Sequence, residues 1–232
     1  MYTVNTVIEC SYPPARKAKT ITSATVSRQS YHHGDLRQAL LAAGVELARD
    51  GGPDAVVLRE ATRRVGVSPN AAYRHFADRD ALLVAVSNAA LAELATTIDV
   101  NVALIPNSDS VTVATEQLRA VGTGYVAFAL DNPGLFHAAF FVHSDLEQSP
   151  RSMSGPSGRS PLELLTDALD RLVSSGAMPA SRRPQAEFLA WSAVHGLALL
   201  LVDGPLRSLP RDQADAATQR VIDMVEAGFT CP

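Results

Sequence analysis

Only two cysteines occur in 232 residues, Cys10 and Cys231, near opposite ends and without CxxC spacing. They make neither a disulfide framework nor a zinc ligand set, and they fit a reducing, cytoplasmic setting. Aromatic residues are scarce too, at 6% with a single tryptophan, Trp191. The most apolar run, Phe188 to Val202, is interrupted by Ser192, His195 and Gly196 and falls short of the ~18 to 20 residues a bilayer span requires. It reads as a buried helix, and no membrane partner is expected. The basic cluster Arg16, Lys17 and Lys19 follows a short, broken apolar stretch, the reverse of a secretory signal. Catalytic and cofactor fingerprints are missing as well: there is no GxSxG, P-loop, GxGxxG or HExxH, so neither an enzyme nor a cofactor is expected. His137 and His143 do not share a helical face, and no metal site stands out.

Positive charge is not in excess either, since the formal net charge is -4. Its distribution is uneven, however. Residues 1–90 hold 11 Lys and Arg against 8 Asp and Glu, whereas 91–232 hold 9 against 16. A basic N-terminal third joined to an acidic remainder suggests two jobs.

What is present is helical periodicity. Residues 1–30 lack it, are rich in Ser, Thr and Pro, and are expected to form a disordered arm. Leu36, Leu40, Ala43 and Leu47 then recur at helical spacing up to Gly51-Gly52, a helix stop. A short helix carries Leu58, Ala61 and Val65 and ends at Gly66. Ser68 as N-cap and Pro69 at the first position open a third, and Asp78 with Asp80 opens a fourth. Further helices are expected over 111–130, 135–142, from a Ser160-Pro161-Leu162-Glu163 capping box to Gly176, over 184–202 and over 211–229. The stretch 144–160 reads as a loop on composition. The fold class is all-α, with about nine helices.

The second and third helices, joined by a Gly-containing turn, form a helix-turn-helix whose second helix can enter the DNA major groove. Ala72 and Phe76, four residues apart, turn inward, and Asn70, Ala71, Tyr73 and Arg74 project outward. Asn can read an adenine edge, Arg a guanine edge, and the Ala methyl can meet a thymine methyl. Tyr73 and His75 suit phosphate oxygens, as does Arg79 at the start of the fourth helix. Ser68 completes the candidate DNA-binding set.

These residues carry a resemblance. The segments YHHGDLRQALLAAGVELARDGG and LREATRRVGVSPNAAYRHFADRDALL resemble the DNA-binding domain of TetR-family transcriptional regulators, with Gly66-Val67-Ser68, Tyr73, His75 and Phe76 at the family's spacing. WSAVHGLALLLVDG is similar to the Trp-His-Gly motif of one C-terminal subgroup. There are departures: Val57 stands where the family has a Ser or Thr N-cap, Thr62 where it has Ala, and Arg79 where it has Lys. The resemblance implies a helix-turn-helix domain over 31–77 and a ligand-binding and dimerisation bundle over 78–232. It implies a regulator, a repressor by default, that binds a palindromic double-stranded DNA operator as a homodimer through its last two helices and is released by a small-molecule effector. Tyr125, Phe128, Phe140, Trp191 and His195 are the candidates for contact with that effector, although Trp191 and His195 read equally well as a core Trp with a hydrogen-bonded His. The alternatives are a helical-bundle enzyme and a bundle acting only through protein partners.

Overall fold

Gly51 and Gly52 do interrupt the first amphipathic helix. Helix α1 (His33–Ala55) leaves the helical path there, with Gly52 at φ 70° and ψ -167°, a conformation glycine adopts without steric cost. The structure, a computed structural model, describes residues 33–141 and 151–230. The arm expected over 1–30, His143, both cysteines and the first part of the 144–160 loop lie outside them. Among the described residues there are nine α-helices, two 3-10 turns and no strand, the all-α class that the periodicity predicts.

After α1 come α2 (Leu58–Val65), α3 (Pro69–Ala72), α4 (Arg79–Ala103), α5 (Val111–Asp131), α6 (Pro133–Phe141), α7 (Pro161–Ser174), α8 (Ala186–Val202) and α9 (Arg211–Thr230). Their starts follow from local chemistry. Asp78 accepts from Ala81 N at 2.7 Å and Ser110 from Val113 N at 3.3 Å, each satisfying an N–H without a partner inside its helix. Ser160 and Glu163 close both halves of the expected capping box. Met153, in a 3-10 turn at Arg151–Met153, is buried, so the composition of 144–160 concealed one anchored residue.

Helix α4 is the axis, with α1, α5, α6 and α7 packed around it. It is the one described helix long and apolar enough to cross a membrane, a longer candidate than the 188–202 run weighed in the sequence. Its apolar character has a different cause: Leu82, Leu83, Val86, Ala90, Leu94, Ala95 and Ile98 are all buried against neighbouring helices, each leucine contributing about 2 kcal/mol.

The helices of the N-terminal head, α1 to α4, and those of the bundle that follows share one compact unit. Helix α6 lies against both α1 and α4. Ser87 Oγ donates to Ala139 O at 2.8 Å in the buried seam, and Arg49 on α1 reaches Glu93 on α4 at 2.9 and 3.2 Å and the Asn132 side chain between α5 and α6.

Helix α8 departs from the expectation of a buried helix. Its inner side is buried through Ala190, Val194, Leu197, Ala198 and Leu201, but Phe188, Leu189, Leu199 and Leu200 are exposed.

Candidate functional site

The segment Ser68–Phe76 is shorter as a helix than its sequence suggests. Helix α3 is one turn, Pro69–Ala72, after which His75 N bonds Ala72 O at 2.9 Å in a tighter 3-10 step and Phe76 N bonds the same oxygen at 3.0 Å. Gly66 supplies the preceding bend at φ 74°, with Val67 N on Thr62 O at 3.1 Å. Ser68 is extended and holds the N-cap position, but its hydroxyl makes no capping bond. Pro69 already presets the first turn, and Ser68 contributes its carbonyl to Ala71 N at 3.0 Å.

Ala72 is fully buried and Phe76 is 3% exposed. Asn70, Tyr73 and Arg74 are exposed and Ala71 and His75 half-buried, Tyr73 at 56%. Val57 caps α2 without a side-chain bond, as the missing hydroxyl requires. Thr62 is buried, and its Oγ1 donates to Arg59 O at 2.7 Å, which satisfies the hydroxyl at the α2 crossing.

Arginines of the head fall into two groups. Arg63 pairs with Glu60 at 2.6 Å, Arg64 with Asp50 at 3.1 Å and Arg49 with Glu93. Arg79, a candidate DNA contact in the sequence, instead donates from Nε to Val56 O at 2.9 Å and from Nη2 to Pro53 O at 2.8 Å. Its planar fork fastens the α1–α2 turn. In contrast, Arg37, Arg59 and Arg74 are exposed and make no ion pair among the described residues. Arg37 lies over the Phe76 ring at 5.0 Å, a cation–π contact that fixes its position. Sequence reasoning missed Arg37 and Arg59. One signal was available for Arg59, since Glu60 stands three and four residues before Arg63 and Arg64 and neutralises those two.

Within the bundle, Tyr125, Phe140, Trp191 and His195 come together, joined by Phe136. Ring centroids lie 4.9 Å apart for Phe140 and His195, 5.5 Å for Phe136 and His195, and 5.9 Å for Tyr125 and Phe136. Phe128 is buried but shares no ring contact with them among the described residues. Phe136, on α6, makes the ring contacts with Tyr125, Phe140 and His195. Trp191 Nε1 donates to Tyr125 Oη at 3.1 Å, and that hydroxyl lies 2.7 Å from His195 Nδ1. Burial pushes the Tyr125 hydroxyl well above the usual phenol range, against the pull of the Trp191 bond, and burial lowers the His195 imidazole, each disfavouring its charged form.

One exposed strip shared by α8 and α9 is apolar. Leu189 is 66% and Met224 62% exposed, and a β-carbon added at Gly196 or Gly228 would meet nothing within 4 Å. Leu189, Ala193, Met224, Val225 and Phe229 line a cleft of about 440 Å³ there.

This arrangement, a short exposed polar helix set by a glycine bend in front of a helical bundle, defines a helix-turn-helix DNA-binding protein. Two family profiles agree with it: "Bacterial regulatory proteins, tetR family" matches residues 40–86 and "Tetracyclin repressor-like, C-terminal domain" matches 118–225. The chain belongs to the TetR family and is a DNA-binding transcriptional regulator. Among solved structures it is similar to a protein of unknown function from Rhodococcus sp. RHA1, at 26% identity and TM-score 0.68 over 88% of this chain and 100% of that one. It shares its fold with a TetR-family transcriptional regulator from Pectobacterium atrosepticum, at 17% identity and TM-score 0.64 over 88% and 99% of the two chains. The fold also matches a TetR variant from Acinetobacter baumannii AYE in complex with minocycline, at 20% identity and TM-score 0.58 over 86% and 97%. No curated protein matches the chain.

Proposed function

We propose that this regulator acts as a repressor, binding a palindromic operator as a homodimer and leaving it when a small molecule occupies the aromatic cluster. The observation that carries the DNA half is the division of the Ser68–Phe76 segment: Ala72 and Phe76 buried, Asn70, Tyr73 and Arg74 exposed. Asn70 and Arg74 read base edges and Ala71 meets a thymine methyl, while Ser68, Tyr73 and His75 hold phosphates. Arg37 and Arg59 join them on the backbone. The side chain of Arg79 serves the α1–α2 turn, leaving its N-terminal turn to face the strand.

Dimerisation through α8 and α9 is supported by the exposed apolar stripe around Leu189, Gly196, Met224 and Gly228, since monomers rarely leave such a face in water. Two reading heads must also reach major grooves about one turn, ~34 Å, apart. A ligand at Tyr125, Phe136, Phe140, Trp191 and His195 shifts the bundle only by binding its two arrangements unequally. Phe128 supports this cluster from the core. A protein of this kind works where its operator is, in the cytoplasm.

Selection of bound sequences from random duplexes tests the reading. The expected result is an inverted repeat with half-sites one turn apart, bound by a dimer. Recovery of no preferred sequence would return the chain to a bundle acting through protein partners or catalysis.

A further inference from the structure

Resting on the reading of the aromatic cluster as the effector's site, we infer that the effector is an uncharged, largely apolar molecule presenting one neutral hydrogen-bond acceptor, such as a ketone or ester carbonyl, to His195 Nε2.

The inference follows from the direction of the hydrogen bonds. Trp191 Nε1 can only donate, so Tyr125 Oη accepts from it at 3.1 Å. Tyr125 is 5% exposed, so its own proton needs an acceptor, and His195 Nδ1 at 2.7 Å is the one that the described residues supply. The opposite assignment, with Nδ1–H donating, would give the phenol oxygen two donors and leave its proton buried without a partner, which is unfavourable. Trp191 Nε1, the Tyr125 hydroxyl and His195 Nδ1 are all satisfied only if Tyr125 donates to Nδ1 and the imidazole carries its proton on Nε2. The chain Trp191 to Tyr125 to His195 thus ends in an N–H that has no acceptor among the described residues, on a half-buried ring that borders Phe136 and Phe140.

The surroundings set the charge of what meets that N–H. Tyr125, Phe136, Phe140 and Trp191 carry no formal charge, and no Arg or Lys among the described residues lies over their rings. The nearby titratable groups are His137, whose ring is 6.2 Å from Phe136, and Asp203, which His137 engages at 2.7 Å. Among the described residues a buried carboxylate would meet no guanidinium or ammonium over these rings, and burial without a partner is costly. A neutral acceptor among aromatic rings completes the chain and buries apolar surface at once.

Three probes of similar size test this in the full-length protein: acetophenone, ethylbenzene and benzoate, followed by the emission of Trp191 and by the 15N shifts of the His195 ring. At pH 7.5 the ring should show protonated Nε2 and bare Nδ1 before any probe is added. Acetophenone should bind about five-fold more tightly than ethylbenzene, within the range of one neutral hydrogen bond, and benzoate more weakly than both. In His195→Phe the first two should bind equally. A protonated Nδ1, a preference for benzoate, or an acetophenone advantage that survives His195→Phe would overturn the inference while leaving the cluster a ligand site. The tautomer measurement decides the matter even where that variant fails to fold. If no probe moves Trp191 or His195 at 10 mM, roughly the reach of fragment-sized ligands, the reading of the cluster as the effector's site fails.

Discussion

Gly134, at the start of α6, meets α1 at Ala48 so closely that a β-carbon on it would stand 2.2 Å from the Ala48 carbonyl oxygen, and 2.7 Å from that of Arg49. Both obstacles are backbone atoms of a helix and cannot swing aside. Gly134→Ala must therefore push α6 off α1, at about 1–3 kcal/mol of overpacking. Denaturant unfolding of the variant measures this, and a loss below about 0.5 kcal/mol would mean that the two helices slide past one another freely.

The same junction is held on its polar side by Arg49 and Glu93, with the single nitrogen Nη2 donating to both carboxylate oxygens at 2.9 and 3.2 Å. Both side chains are about a third or more exposed, 35% and 41%, so water and salt weaken the pair. A double-mutant cycle of Arg49→Met with Glu93→Gln should return a coupling of about 0.5–1 kcal/mol at low salt, shrinking as ionic strength rises. Strictly additive single effects would show that the contact contributes nothing beyond its two separate side chains.

Much of this was legible in the sequence, and the unread parts share a physical cause. Helix starts at Asp78, Ser110 and Ser160 depend on residues within four positions of one another, so local chemistry determines them. The inward turn of Ala72 and Phe76 follows from the helical period. Three things escaped because they depend on distant segments. Arg79 is engaged by the carbonyls of Pro53 and Val56, more than twenty residues earlier. The exchange of Phe128 for Phe136 depends on how α6 crosses α5. The outward side of α8 looks like core because its residues are apolar, and hydropathy does not tell a face awaiting a second chain from one already covered.

The sorting of head arginines separates two kinds of mutant. On the proposed reading, in which Arg37 and Arg59 each hold a phosphate in a dimer, Arg59→Ala or Arg37→Ala should make the slope of log affinity against log salt shallower by about 2, with little change in base preference. Arg79→Ala removes two bonds to backbone carbonyls and should lower thermal stability, leaving that slope closer to its original value. Slopes from fluorescence anisotropy on one duplex, beside melting curves of the free proteins, decide it. If Arg79→Ala were the variant that flattened the slope while melting normally, the roles would be reversed.

His195 should give stability a pH dependence whose sign is fixed by burial. Its folded imidazole is held below the ordinary value of 6.5 by desolvation, so between the two values the unfolded chain binds more protons than the folded one. Stability then rises with pH across that window. Its full contribution is present above 6.5 and is lost as pH falls toward the lowered folded value, below which no further change comes from this group. Protonation also places a hydrogen on Nδ1, so Tyr125 loses its acceptor as the imidazolium forms. Melting temperatures of wild type and His195→Asn between pH 7.5 and 5 should converge as pH falls, because only the wild type has this dependence to lose. A pair of parallel curves would mean that His195 titrates as it does in water, and that Tyr125 finds another acceptor.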